Sequence, residues 1–385
     1  MSTPADEESG CDISSLLEML ETVPDPRKVR GKRYKLKFIL AVSLVATLAG
    51  ASNFRQIRDL AADMPPSLLE KLGGKWCYFR CGFGYPSERT IRRVVQGIDA
   101  AALDRIVGIW LLRRARRGRD GVLALAIDGK VVKGAWTDDN GQFTLFSAML
   151  AREGVTVGQV QVPADTNEIT QVEVLLMQVP LPRGEPVVVT MDAAHTQHDT
   201  AEYLKGTRGF DYVMTVKGNQ PHLLDAVFTN CLPLLRNTPD HTVEEQGRGL
   251  VKRWETWITD AAGIDFPHIK QIAAIRRNTY TTSGTWIHKE YAWIVTSGEA
   301  TTITADHIHS HIREHWGIEN KNHYPRDVVW REDAQQIYTG SSPQVLATLR
   351  NLALGLFRLN GINKIKETTE WISRNQNRVL PLLAT

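Results

Sequence analysis

Two apolar runs that each climb to an aspartate constrain this chain most. Leu123-Ala-Leu-Ala-Ile-Asp-Gly-Lys130 rises through aliphatic residues to Asp128 and meets Gly129. A run that is short, apolar and closed by glycine reads as a buried strand ending at Asp128. Val187-Val-Val-Thr-Met-Asp192 follows the same pattern. A carboxylate at such a strand end is held rigidly by the sheet beside it. A third acid, Glu319, lies in Ile312-Arg-Glu-His-Trp-Gly-Ile-Glu-Asn320, which reads as helical. Two strand aspartates and a helix glutamate from distant segments form a donor set that can hold two divalent cations for phosphoryl transfer. Each acid also has a plainer reading. Asp128 suits a turn before glycine, Asp192 a helix cap, and Glu319 a solvated helix face.

Charge is distributed unevenly along the 385 residues. The first 120 carry 21 Lys+Arg against 14 Asp+Glu, leaving 25 against 29 for the rest. A basic front and an acidic rear suit a polyanion-binding module joined to a carboxylate site, although solvated charge explains the asymmetry equally well. Hydrophobic residues make up 42% and charged residues 23%, which is globular composition, and the length suggests two or three domains. Cys11, Cys77, Cys81 and Cys231 do not make a disulfide framework, and the Cys77/Cys81 pair lacks a second ligand pair for zinc. Residues 1–12 are acidic and polar, unlike a signal peptide. The apolar run Phe38–Ala51 is shorter than the roughly 20 residues a membrane span needs, so it is expected to be a buried helix and the protein cytoplasmic.

Along the chain, residues 13–22 read as an amphipathic helix. Pro24-Asp-Pro-Arg-Lys-Val-Arg-Gly-Lys-Arg-Tyr-Lys-Leu-Lys37 is a basic stretch suited to phosphates or to solvent. Ser87 is a candidate N-cap, and Arg89, Arg92 and Arg93 behind it would cluster as on a groove-reading helix. From Val122 the pattern changes to strands at 122–128, 143–150 and 155–162, with a turn at Asp138-Asp-Asn-Gly141. A helix over 168–178, the strand ending at Asp192, a helix near 200–205 and a strand at 212–216 follow. This order fits an α/β mixed sheet with helices on both faces. Strands at 251–259, 269–276 and 286–296 read as a β-rich insertion. Lys217, Asn219 and Gln220 could touch DNA phosphates or form a polar turn before Pro221. His307, His311 and His315 share one helical face, a polar face or a metal face, while Trp316 and Ile318 read as core.

Taken in order, these segments resemble the DDE transposases of bacterial insertion sequences, in the branch of the H-repeat-associated proteins. The resemblance covers nearly the whole chain. It rests on Pro24-Asp-Pro-Arg27, Phe38–Gly50, Pro86-Ser-Glu-Arg-Thr-Ile-Arg-Arg93, Ile127-Asp-Gly-Lys130 and Asn167-Glu-Ile169. It continues through Asp192-Ala-Ala-His-Thr-Gln197, Lys217-Gly-Asn-Gln-Pro221, Arg313-Glu-His-Trp-Gly-Ile-Glu-Asn320 and Arg350-Asn-Leu-Ala353. It implies an RNase H-like catalytic core interrupted by the β-rich insertion and preceded by a helical DNA-binding domain. The implied boundaries are 1–120 for the DNA-binding domain, 121–225 for the first part of the core, 226–300 for the insertion, 301–340 for the glutamate helix and 341–385 for C-terminal helices.

The resemblance further implies that Asp128, Asp192 and Glu319 bind two Mg²⁺ ions, with Mn²⁺ as a substitute. Double-stranded DNA is the implied partner, at the element's ends and at the target, with no membrane role and a homodimer in the synaptic complex. Lys130 and Arg326 join the candidate DNA contacts, Arg326 because related transposases carry a basic residue seven positions beyond the glutamate. Their Tyr and Arg positions before the glutamate are Ile312 and His315 here. After Asn320 this chain departs from the branch, reading His323-Tyr-Pro-Arg-Asp327, and Pro325 is expected to end or kink the helix there. Two alternatives stay open: a DNA-binding remnant without cleavage, and a stand-alone RNase H-like nuclease.

Overall fold

A computed structural model of the chain describes residues 12–384 apart from 29, 31, 79–80, 119–120, 137–140, 180 and 182–183. The expected turn residues Asp138 and Asp139 therefore lie outside the described residues. The strands of the main sheet are β1 (Leu123–Trp136), β2 (Gln142–Leu150), β3 (Val155–Val162), β4 (Val187–Met191), β5 (Asp211–Val216), β6 (His241–Gly247), β7 (Leu250–Asp260), β8 (Gln271–Thr281) and β9 (Trp286–Thr296). Their order is β3-β2-β1-β4-β5-β9-β8-β7-β6. β4 runs parallel to β1, pairing Leu123 with Val187 through Ile127 with Met191, and β5 runs parallel to β4. β2 and β3 are antiparallel. The first five strands thus have the RNase H-like order. The β-rich segment adds four antiparallel strands to the same sheet, entering through β9 against β5.

β1 does not end at Asp128. It runs on through Gly129 to Trp136. The apolar run stops at Ile127, but beyond Gly129 the burial alternates, with Lys130, Val132 and Ala135 inward and Lys133 outward, which is the period of a half-buried strand. What ends at Ile127 is the pairing with β4.

The chain divides into two compact units: Met1–Asp120, Gly129–Pro180 and Glu319–Thr385 in the first, Gly121–Asp128 and Leu181–Ile318 in the second. The helices of the first begin with α1 (Ser14–Glu21), α2 (Leu36–Leu48), α3 (Phe54–Asp63), α4 (Pro66–Lys71), α5 (Glu88–Gly97) and α6 (Ala100–Ala115). Every residue of α2 except Lys37 is buried, as a helix apolar on all sides must be. Asn53, Ser87 and Asp99 cap α3, α5 and α6 by accepting from the backbone N–H three residues on. α7 (Gln171–Gln178) packs against β3.

In the second unit, α8 (Pro221–Cys231) follows β5, and α9 (Ala305–His315) lays Ile308 and Ile312 on a core of Val188, Val213, Trp254, Ile275 and Ile294. In the first unit a π-helical turn, Glu319–His323, leads directly into α10 (Tyr324–Val329), and α11 (Ser342–Leu359) follows. Pro325 therefore does not end the helical path. It stands where the π-helical turn passes into α10. Among the described residues no helix is long and apolar enough to cross a membrane.

Candidate active site

Parallel pairing brings two of the three candidate carboxylates to neighbouring positions. Asp128 and Asp192 each follow the last paired residues, Ile127 and Met191, of adjacent strands. Neighbouring strands lie about 4.8 Å apart, so the two aspartates occupy neighbouring positions where the pairing of β1 with β4 stops. β4 is buried at every residue, which fixes where its carboxylate emerges. Asp128 is half-buried and Asp192 exposed. Without a Cβ, Gly129 leaves room for the Glu168 carboxylate to lie against the backbone beside Asp128.

The turn after β4 is tied down from three directions. Asp192 Oδ1 accepts from the Ala194 N–H at 3.1 Å. Asn219 Nδ2 donates to the Ala193 carbonyl at 2.7 Å, and Gln220 Nε2 to Gln197 Oε1 at 2.8 Å. Both polar residues after β5 thus brace the Asp192 turn, while Lys217 beside them is exposed. Behind Asp192, His315 is buried with Nδ1 3.2 Å from Thr190 Oγ1. Burial pushes its pKa down to about 4 against the pull of Asp192, so it is neutral at pH 7.

Next to Asp192 opens a cavity of about 500 Å³ with Lys217 and His315 among its lining residues. Trp254, Trp293 and Trp316 form much of its wall. Tyr291 and Trp293 stack at 5.6 Å between ring centroids, and the Arg277 guanidinium lies 5.1 Å from the Trp254 ring centroid. Ile318 is core as expected, but Trp316 is not: it is 41% exposed and belongs to this wall.

Glu319 opens the π-helical turn in the other unit and is exposed. Its Oε2 lies 3.0 Å from Nδ1 of buried His323. This hydrogen bond, aided by the charges of His323 and Lys130, holds the Glu319 pKa below the usual carboxylate range. The helical spacing of four residues sets His323 on the same face as Glu319.

The remaining candidate contacts separate by burial. Lys130 is 6% exposed, with Nζ 2.7 Å from Asp327 Oδ2 and 3.5 Å from Asp333 Oδ1. Arg326 is fully buried, bonded twice to Glu332 at 2.8 and 2.9 Å and to Asn322 at 3.3 Å. Arg326 thus holds a buried ion pair in this structure, and Lys130 lies inside an ion-pair cluster. Arg89, Arg92 and Arg93 are exposed on α5, with Arg92 drawn to Glu88 at 2.5 Å. His311 and His315 are buried and His307 hydrogen-bonds Thr304, so the three histidines share no ligand shell. Among the described residues no group of three or more His, Cys, Asp or Glu side chains is gathered to hold a metal ion.

Sequence reasoning missed the aromatic wall and the His323–Glu319 pair. Trp254 and Trp293 stand in expected strands, but only strand order reveals that they share a cavity with Asp192.

Residues 122–356 match the family described as Transposase DDE domain, and residues 17–111 match the family described as DDE_Tnp_1-associated. The chain is 29% identical over 361 residues to "Putative transposase YncI" of Escherichia coli O157:H7, covering 90% of this chain and 88% of that protein. It is 27% identical over 359 residues to "H repeat-associated putative transposase YhhI" of Escherichia coli K12, covering 90% of both. Among solved structures, a piggyBac transposase synaptic complex with hairpin DNA aligns with a TM-score of 0.42 and 10% identity, over 97% of this chain and 82% of that one.

Proposed function

Since this chain belongs to the DDE transposase family, we propose that it is the transposase of an insertion sequence, cutting DNA at the element's ends and joining them to a target. Asp128, Asp192 and Glu319 are the catalytic carboxylates of this reading. The observation that carries it is the placement of Asp128 and Asp192 at neighbouring positions on adjacent parallel strands, with Asp192 at the rim of a large aromatic cavity. Open sheets bind ligands beyond the carboxyl ends of such strands.

The donor chemistry fits the divalent ions that DDE enzymes use. Three carboxylates with no thiolate among them suit a hard, oxygen-seeking cation such as Mg²⁺ or Mn²⁺. When bound, a pair of such ions supplies activation of the attacking oxygen and relief of charge on the leaving oxygen. The chain's own residues do the rest. Asn219 and Gln220 hold the turn that aims Asp192. His323 orients Glu319 through its carboxylate. Neutral His315 supports β4 from behind without adding a competing cation. Lys217, exposed at the cavity, meets a phosphate oxygen of the strand being cut. The tryptophan wall offers stacking faces to a base next to that phosphate. Attack of water on the scissile phosphate leaves a 3′-OH on the element, and attack of that 3′-OH on a target phosphate joins the two.

Arg89, exposed on α5, is the candidate base-reading residue of the N-terminal helices. Joining two ends in one event calls for a homodimer on DNA, acting in the cytoplasm where the chromosome lies. The remnant reading drew on Pro325, and the helical run through Pro325 into α10 takes that ground away.

The test uses the full chain, a duplex carrying the inverted repeats that flank its gene, and a supercoiled target plasmid. In Mg²⁺ or Mn²⁺ the repeats should be nicked to leave 3′-OH ends, and those ends should appear joined to the plasmid. Tight binding to the repeats with no nicking in either metal would return the remnant reading. Nicking without joining would favour the nuclease.

A further inference from the structure

A second cavity, of about 300 Å³, lies among the N-terminal helices of the first unit. Four arginines line it: Arg27, Arg33, Arg58 and Arg93, with the hydroxyls of Ser87 and Thr90 between them. Among the described residues that line it there is no carboxylate. The Tyr34 hydroxyl donates to the Tyr85 carbonyl at 2.8 Å and closes one wall.

Four guanidinium groups around one small space repel one another unless something offsets them. Only part of the charge is matched. Arg27 is locked by two 2.9 Å bonds to Asp25, which also serves Lys32 at 3.0 Å. Arg58 reaches Asp59 at 2.8 Å. Against the two carboxylates Asp25 and Asp59 stand Arg27, Lys32, Arg33, Arg58 and Arg93. The positions are nevertheless built. Arg27 also donates to the Tyr34 carbonyl at 3.0 Å, the Arg33 guanidinium lies 5.5 Å from the Tyr34 ring centroid, and Arg93 projects from the capped first turns of α5.

We propose that this cavity seats a backbone phosphate of duplex DNA, held by Arg33, Arg58 and Arg93 over the floor made by Arg27. The proposal rests on the reading that the chain handles DNA, and adds where the duplex backbone docks. Guanidinium forks match phosphate oxygens in pairs, and whichever of the Ser87 and Thr90 hydroxyls accepts in their mutual 2.9 Å bond can donate to an oxygen left over. The cavity also divides the labour along α5. Arg93 anchors the backbone here. Arg92 is committed to Glu88 and lies over Phe54, with 5.0 Å from guanidinium to ring centroid. Arg89, one turn earlier, is left to reach a base edge. Phosphate contacts fix register and carry no sequence information, so this cavity holds any duplex equally.

The experiment measures binding of the full chain to fluorescent duplexes, one with the element's end and one of random sequence, over a range of salt. The Arg33→Gln/Arg58→Gln/Arg93→Gln variant should lose affinity about tenfold on both duplexes, and its slope of log affinity on log salt should be shallower by about 1. The corresponding triple lysine variant should keep most of the slope, because it keeps the charge. Arg55→Gln, on exposed α3 surface outside the cavity, should match wild type. A glutamine variant that melts like wild type and binds both duplexes with an unchanged slope overturns the proposal. So does a variant that loses protection by inorganic phosphate in a thermal shift yet binds DNA as before. Wild type that binds no duplex at all overturns the DNA reading itself, and this cavity's role with it.

Discussion

The exposed candidate carboxylates and the buried carboxylates of the first unit are the same chemical groups in opposite circumstances. Asp192 and Glu319 are exposed, each held by one local hydrogen bond. Glu332 is 1% exposed, gripped by Arg326 and by Arg350 at 2.6 Å. Burial alone would raise its pKa, but the two arginines override that and hold it at about 2. Asp104 is buried among Gln159, Gln344 and Thr348, three neutral groups that donate to its carboxylate, and burial pushes its pKa up to about 7. The difference teaches that an acid can serve chemistry only where its oxygens are not already spent. The interior acids hold helices together; the exposed ones remain available to a ligand.

Substitutions can break this contrast. The largest effect should fall on activity. Asp128→Asn, Asp192→Asn and Glu319→Gln should each slow DNA nicking by roughly three or more powers of ten, several kcal/mol of transition-state stabilisation, with melting unchanged for the two exposed sites. Glu332→Gln should do the reverse, lowering stability by about 3–5 kcal/mol by leaving Arg326 and Arg350 buried without their partner. Chemical denaturation measures it, and a loss below about 1 kcal/mol would mean that the network is wet rather than sealed.

The pH dependence sharpens the contrast further. Glu332 has a folded pKa below its unfolded value, so its contribution is present above the ordinary glutamate range and disappears as pH falls toward about 2. Asp104 has the opposite sign. Its folded pKa is raised to about 7, so the folded state retains a proton that the unfolded chain has released, and stability falls as pH rises from the ordinary aspartate range to about 7. Asp104→Asn should flatten that decline, measured as denaturation midpoints at steps between acid and neutral pH. An unchanged slope would place Asp104 in contact with water. The smallest effect is expected at Pro325→Ala, within about 1 kcal/mol, since alanine fits a helical path that already runs through this position. A larger loss would make the proline a designed part of the π turn.

The sequence announces this fold most clearly where one local signal suffices. The aliphatic runs before Asp128 and Asp192 became the paired parallel strands, and the Ser87 cap opened α5 where it was expected. The segments that needed a distant partner were hidden. β1 continues past Gly129 with Lys130 inward, which makes sense only once Asp327, 197 residues away, accepts its ammonium. β6 has no apolar face to mark it, being alternately half-buried and exposed. Pro325 looked like a helix end because the widened turn before it leaves no trace in residue type. The burial of Arg326 was hidden because it depends on Glu332, Asn322 and Asn351 arriving together. The two strand aspartates were legible as a pair. The tryptophans walling the neighbouring cavity come from β7, β9 and the end of α9, and no spacing in the chain links them.

The most direct measurement compares binding and nicking of one end-bearing duplex by wild type and Asp192→Asn, in Mg²⁺ and on the same preparations. The expected result is equal or slightly tighter binding by Asp192→Asn, with nicking at least a thousandfold slower, because the change removes one exposed negative charge and nothing structural. Nicking by Asp192→Asn at the wild-type rate would contradict the assignment of Asp128, Asp192 and Glu319 as the catalytic centre.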